Sequence, residues 1–147
     1  MKFILYSTLL LLHLFSFAFA ADHSPAAASL VKKAESECGY QGGQFHMEDS
    51  AISTYDFTGD GKPEEIVDAS QFACSTAASM WCGTGGTMLW MVVDGTSYEF
   101  LAHRWKVVDM DGQNVLLLAV HSSQCGDTIG PCYRALVWSD GVFRTTR

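Results

Sequence analysis

The sequence predicts a mainly β fold of the α+β kind: an antiparallel sheet of about six to eight short strands with one N-terminal helix, stapled by disulfides. Short β-branched and aromatic runs recur from Ser50 onward, and Asp94-Gly95, Asp111-Gly112 and Asp140-Gly141 stand between neighbouring runs. Asp-Gly suits a two-residue hairpin because both central residues of a type I′ turn need positive φ. All 5 cysteines, Cys38, Cys74, Cys82, Cys125 and Cys132, follow an apolar leader, which points to an oxidising compartment where disulfides persist.

That leader is residues 1–20. Lys2 supplies a positive start, Phe3 to Phe19 is almost wholly apolar, and Ala18-Phe19-Ala20 is a small-x-small cleavage site. A membrane anchor needs about 20 apolar residues and usually charged flanks; this run is shorter and ends in a cleavage signal. The expected mature chain starts at Ala21, folds as a single domain over residues 21–147, and is periplasmic or secreted with no membrane span. The formal charge of −7 grows more negative when Lys2 leaves. An acidic surface argues against nucleic acid and against an anionic membrane face, and suits a basic protein partner.

Ser24-Pro25 opens the predicted helix over Ala26 to Glu37: serine caps, proline fits the first turn, and the alanines supply propensity. Cys38-Gly39 is expected to end it, with glycine left-handed. Tyr40 to Asp49 reads as a loop. The expected strands are Ala51 to Tyr55, Glu65 to Ala69, Met88 to Val93, Tyr98 to Ala102, Trp105 to Met110, Val115 to Val120, Tyr133 to Trp138 and Val142 to Thr145. Val115 to Val120 is apolar throughout and predicts a central strand covered on both faces, one cover being the helix. Ser70 to Thr87 reads as a long loop with a helical turn at Thr76 to Met80, of the length that is functional or pinned by a bridge.

The odd number of cysteines leaves at least one unpaired or paired between chains. Two bridges among them allow about 15 arrangements. Cys125 and Cys132 flank a short Gly- and Pro-bearing loop and form the first expected bridge. Cys74 to Cys82 has a similar span and forms the second, which leaves Cys38 over.

Asp56-Phe57-Thr58-Gly59-Asp60-Gly61-Lys62-Pro63-Glu64 has the grammar of a calcium loop between strands. Calcium takes six to eight oxygens, and acids at alternate positions wrap one ion. Asp56 stands at the first position, Thr58 at the third, Asp60 at the fifth, the Lys62 carbonyl at the seventh and Glu64 at the ninth. Thr58 is a neutral hydroxyl where an acid or amide is usual, and Val67 stands where an EF-hand has its bidentate Glu. Pro63 also opposes an exiting helix. The competing reading is an Asp-Gly turn that bonds its own backbone without metal.

Together, the Asp56 to Gly61 turn, the Ser/Ala loop of Cys74 to Ala78, Cys82-Gly83-Thr84-Gly85-Gly86, and Cys125-Gly126 with Cys132 resemble a group of small exported proteobacterial proteins of uncharacterised function. These share a D-x-[NT]-G-D-G turn and a Cys-Gly-x-Gly-Gly motif, and the likeness spans most of residues 38 to 138. Members of that group tend to carry a cysteine directly after the double glycine, where this chain has Thr87; the resemblance thereby offers an origin for the odd cysteine. It implies export and a β fold, and brings no catalytic residues.

Two function classes follow. The leading expectation is a non-catalytic binding domain for a protein partner, of the inhibitor or immunity type acting on an envelope protein. Met80 and Trp81 would supply its contact surface, since an exposed aromatic in a long loop suits an interface. The alternative is a thiol enzyme using Cys82 or Cys125 with His121 as base and Asp127 as orienter. In that reading the glycines after Cys82 leave backbone N–H groups open as an oxyanion site. His46, His103 and His121 match no zinc spacing, and Gly83 to Gly86 lacks the context of a phosphate loop.

Overall fold

The computed structural model describes residues 23–126 and 132–146. The expected leader, its cleavage point and Asp127 lie outside the described residues. The helix α1 runs Pro25–Tyr40, and the strands are β1 Phe45–Met47, β2 Ile52–Tyr55, β3 Glu64–Asp68, β4 Phe72–Cys74, β5 Cys82–Gly83, β6 Gly86–Val93, β7 Thr96–Ala102, β8 Arg104–Met110, β9 Gln113–Val120, β10 Cys132–Ser139 and β11 Val142–Thr145. The mainly β, disulfide-stabilised architecture is as expected, but the strands number 11 and divide among three antiparallel sheets.

The start of α1 follows its sequence. Ser24 caps it, its Oγ accepting from the Ala27 N–H at 3.2 Å, and Pro25 occupies the first turn. Its end does not: the helix continues through Gly39 to Tyr40, and Gly42, at φ +70°, is the left-handed residue. Beyond Tyr40 the carbonyls of Cys38 and Gly39 are taken by the N–H groups of Gln41, Gly42 and Gly43.

The hairpins follow the Asp-Gly grammar. Val93 pairs with Thr96, Met110 with Gln113, and Ser139 with Val142, so each turn holds two residues. Asp94, Asp111 and Asp140 have φ of 48°, 55° and 51°, with positive φ at each following glycine, as type I′ turns require.

In the larger sheet, β6 pairs with β3 and β5 along one side and with β7 along the other; β2 lies outside β3. The second sheet is the meander β8-β9-β10-β11. The chain passes between the two at His103, whose N–H donates to the Ala119 carbonyl at 2.7 Å. Gly86 makes this corner possible: a Cβ there would run into the backbone of Ala102 and His103.

Strand alternation sorts β3 and β6 into two cores. Ile66, Leu89 and Met91 face the second sheet and meet Leu116, Leu118, Val120 and Leu136. Val67, Trp90 and Val92 face the other way, onto Ala27, Ala34 and Cys38 of α1 and onto Phe72 and Trp81. The doubly covered strands are therefore β3 and β6. The expectation that the helix covers Val115 to Val120 fails, because β9 lies in the sheet remote from α1 and its Leu117 and Ala119 stay half-buried.

Cys125 and Cys132 form one disulfide, as expected. The second joins Cys38 to Cys74, with Cα atoms 5.6 Å apart, which corrects both the Cys74–Cys82 pairing and the assignment of Cys38 as left over. β1 and β4 are the cause. Their register sets Phe45 opposite Cys74 and brings Cys74 to the last turn of α1, where Cys38 is buried. Cys82 sits instead on β5 opposite Thr87 and is free and exposed. The loops expected at Tyr40 to Asp49 and Ser70 to Thr87 thus hold β1, β4 and β5, and Thr76 to Met80 forms turns rather than helix.

Candidate functional site

The acidic turn closes the β2–β3 hairpin, in which Tyr55 pairs with Glu64. Asp56 shapes it: Oδ1 accepts from the Gly59 N–H at 2.7 Å and Oδ2 from the Gly61 N–H at 2.9 Å. Asp60 Oδ1 accepts from the Lys62 N–H at 2.8 Å. That bond is the main reason the Asp60 carboxyl lies below its ordinary value; desolvation opposes it, and the Thr58 hydroxyl and the Lys62 charge lower it further by lesser amounts. Glu64, only 6 % exposed, reaches back beneath the loop. Its Oε2 accepts from the N–H groups of Phe57 at 2.6 Å and Thr58 at 3.2 Å, and its Oε1 from the Thr58 hydroxyl at 3.3 Å. Asn114 of β9 donates to the Asp56 carbonyl at 2.8 Å and ties the loop to the second sheet.

Carboxylate oxygens of Asp56, Asp60 and Glu64 lie within 4.8 Å of one another, the one such trio of potential metal ligands among the described residues. The donors are hard oxygens, the kind that calcium, magnesium and manganese take. Each oxygen that takes an N–H keeps a second lone pair for a cation, and the Thr58 hydroxyl lies against Asp56 and Glu64. Two features weaken the site. Lys62 Nζ, 3.9 Å from Asp60 Oδ2, already supplies a positive charge, and the backbone bonds hold the turn without an ion. The trio has the donors to hold a hard divalent cation, and the turn stands without one.

Two further buried acids of β3, which sequence reading missed, tie down other layers. Glu65, 8 % exposed, accepts from the Ser24 N–H with both oxygens, at 3.1 and 3.2 Å, and lies 3.3 Å from His23 Nδ1. It therefore anchors the start of α1. Asp68 accepts from the Ser70 N–H at 2.8 Å and from the Trp105 indole at 2.7 Å, which couples β3 to β8. Three acids within a strand of five residues were the available signal, since acids are rarely fully buried unless paired.

Met80 and Trp81 part company. Trp81 is 8 % exposed and packs edge-on against Phe45 and Phe72, with centroids 5.7 and 5.5 Å apart. Its indole donates to Glu37 Oε2 at 3.4 Å. The expectation of an exposed Trp81 is overturned: the aromatic partners that bury it come from β1 and β4, strands set by pairing distant in sequence. Met80 is half-buried and borders a shallow depression of about 430 Å³ with Ser36, Glu37, Tyr40 and Gln41. Tyr40, missed as a contact residue, is 90 % exposed.

Of the thiol constellation, the Cys125 arm does not assemble. Cys125 is consumed by its bridge and is withdrawn as a nucleophile. His121 engages Ser123, with Nδ1 and Oγ 2.8 Å apart, and its ring centroid lies 6.5 Å from that of His103. The register neighbour of Cys82 is Thr87. Glycines 85 and 86 serve packing, since a Cβ at Gly85 would press on Leu101 and one at Gly86 on the sheet corner. At that corner a cleft of about 290 Å³ opens between the sheets, with Asp68, Ser70, Thr87, His103, Arg104 and Trp105 around it.

No helix among the described residues is long and apolar enough to cross a membrane, and the two disulfides are compatible with an extracytoplasmic setting. Comparison with protein-family models, with curated proteins and with solved structures gives no match.

Proposed function

We propose that this protein is an exported, non-catalytic binding domain for a protein partner, engaged through the platform at the end of α1. Tyr40 is the observation that carries this reading. It stands 90 % exposed beside Met80, on a helix end fixed to β4 by the Cys38–Cys74 bridge. A tyrosine offers a large amphipathic contact at low entropic cost, and a rigid base keeps that cost low on binding. Trp81 acts beneath this surface as its support. The leader and the disulfides support a periplasmic or secreted setting, and the net acidity favours a basic envelope protein, as an inhibitor or immunity-type protein would meet.

Capture from envelope extract tests the reading. The wild type is expected to retain a component that a Tyr40→Ser/Met80→Ser variant loses, with both proteins melting at the same temperature. Equal capture by both would remove this surface from consideration.

A second role rests on the acid trio: Asp56, Asp60 and Glu64 with Thr58 hold calcium with the millimolar-range affinity of extracellular modules. Calcium at about ten times its Kd would then add about 1.4 kcal/mol to stability. The expected result is a melting temperature that rises with calcium in the wild type and not in Asp60→Asn. A chelator-insensitive wild type leaves the loop as a turn alone.

A further inference from the structure

We infer that the cleft at the sheet corner binds a small molecule bearing one oxyanion group, a carboxylate or a phosphate, independently of the platform on α1. Arg104 opens β8 at the rim of the cleft and is exposed, and among the described residues its guanidinium takes part in no ion pair or hydrogen bond. An unpaired guanidinium is a bidentate receptor for planar oxyanions. Next to it, His103 lines the same cleft, and the His121 ring lies 6.5 Å beyond. On an acidic protein this groups one guanidinium and two imidazoles, all potential hydrogen-bond donors, at one edge.

Asp68 is the carboxylate that lines the cleft, and its oxygens are turned to donors of the protein itself. Its oxygens accept from the Ser70 N–H at 2.8 Å and the Trp105 indole at 2.7 Å. The hydroxyls of Ser70 and Thr87 add neutral donors, while Leu89 and Trp105 give an apolar wall. A cleft of about 290 Å³ lies at the small end of ligand pockets, which run from about 300 Å³ upward. It therefore suits a compact molecule with one anionic head and an apolar body, rather than a polymer.

Titration of the folded full domain tests this, following the Trp105 indole and the His103 and His121 imidazole resonances by NMR. Inorganic phosphate and benzoate serve as separate probes, with chloride at matched ionic strength as control. The expected result is saturable movement of the cleft resonances with phosphate or benzoate, and the probe that saturates identifies the head group. Arg104→Gln, on an exposed side chain, is expected to weaken that binding about tenfold, and Arg104→Lys to restore part of it. Movement no greater than chloride produces, or unaltered binding in Arg104→Gln, overturns the proposal. Neither outcome bears on capture through Tyr40.

Discussion

The two faces of the β3–β6 pair are held by different means. On the sandwich face, Ile66, Leu89 and Met91 meet Leu116 and Leu118, branched or long side chains whose burial contributes about 1.5–3 kcal/mol each. On the helix face, α1 fully buries only Ala27, Ala34 and Cys38, with Leu30 and Val31 half-buried against the same core. An alanine methyl adds about 0.8 kcal/mol, so most of the helix's apolar hold comes from the half-buried Leu30 and Val31. It is also held at both ends, by Glu65 at its start and by the Cys38–Cys74 bridge at its finish. The helix, whose own buried side chains are small, is fixed to the sheet by a buried carboxylate and a covalent bond at its two ends; the two sheets meet through large side chains.

Removing the covalent tie is the sharpest way to break this contrast. Cys38 and Cys74 are 36 residues apart, and the chain-entropy model assigns a bridge of that span about 4 kcal/mol. The Cys38→Ala/Cys74→Ala variant should lose about that much in denaturant unfolding, with amide protection in α1 falling before that in β9 and β10. The Cys125–Cys132 bridge spans 7 residues and is worth about 2.5 kcal/mol on the same model. If both double variants cost the same and α1 keeps its protection, the helix is held by something other than its bridge.

On the sandwich face, Leu116→Ala is expected to cost about 3 kcal/mol, because a fully buried leucine leaves a cavity between two sheets that cannot both collapse. Ala34→Gly on the helix face should cost about 1 kcal/mol, mostly through helix propensity. Equal losses at the two sites would erase the proposed asymmetry.

What was legible in the sequence follows the same divide. Ser24-Pro25, the three Asp-Gly turns and Cys125–Cys132 each depend on residues within a few positions of one another, and each stands as read. Cys38–Cys74, the β1–β4 pair and the burial of Trp81 depend on one event, Phe45 coming opposite Cys74. No local pattern encodes it. Its trace is Gly43, where a Cβ would collide with the sulfurs of both bridged cysteines, but a glycine in a Gln- and Gly-rich stretch reads only as loop. The acidic turn was legible as a strand–turn–strand junction. That Glu64 lies beneath it rather than beside it was not, because that depends on which face of β3 the second sheet covers.

The boundary between the two faces offers a gain rather than a loss. Cys82 lies directly across from Thr87, and opposed antiparallel residues have Cα atoms about 4.5–5.5 Å apart, within the range a disulfide spans. Thr87→Cys should therefore close a third bridge, remove the free thiol from mass mapping, and stabilise by about 2 kcal/mol in the chain-entropy model. It would give the end of β6 a covalent tie of its own. A variant in which both thiols remain reactive would mean that β5 is not held against β6 in solution.

The smallest effect belongs to the acidic turn, whose carboxylates are held by backbone N–H groups at the solvent edge of the sandwich. The Lys62 N–H, then the Thr58 hydroxyl and the Lys62 charge, lower the Asp60 carboxyl below its reference value of 3.8. A group whose folded value is depressed adds stability above its unfolded value, and that stability is lost as pH falls through the folded one. Asp60→Asn should thus melt slightly below the wild type at neutral pH, with the gap closing only as pH drops below about 4. The side chain is exposed, so salt should shrink the gap as well. A gap that persists unchanged into acid would assign the loss to altered turn geometry. The polar tie at Asp60 would then owe nothing to its charge, and Glu64, buried below it, would be the acid that holds the turn.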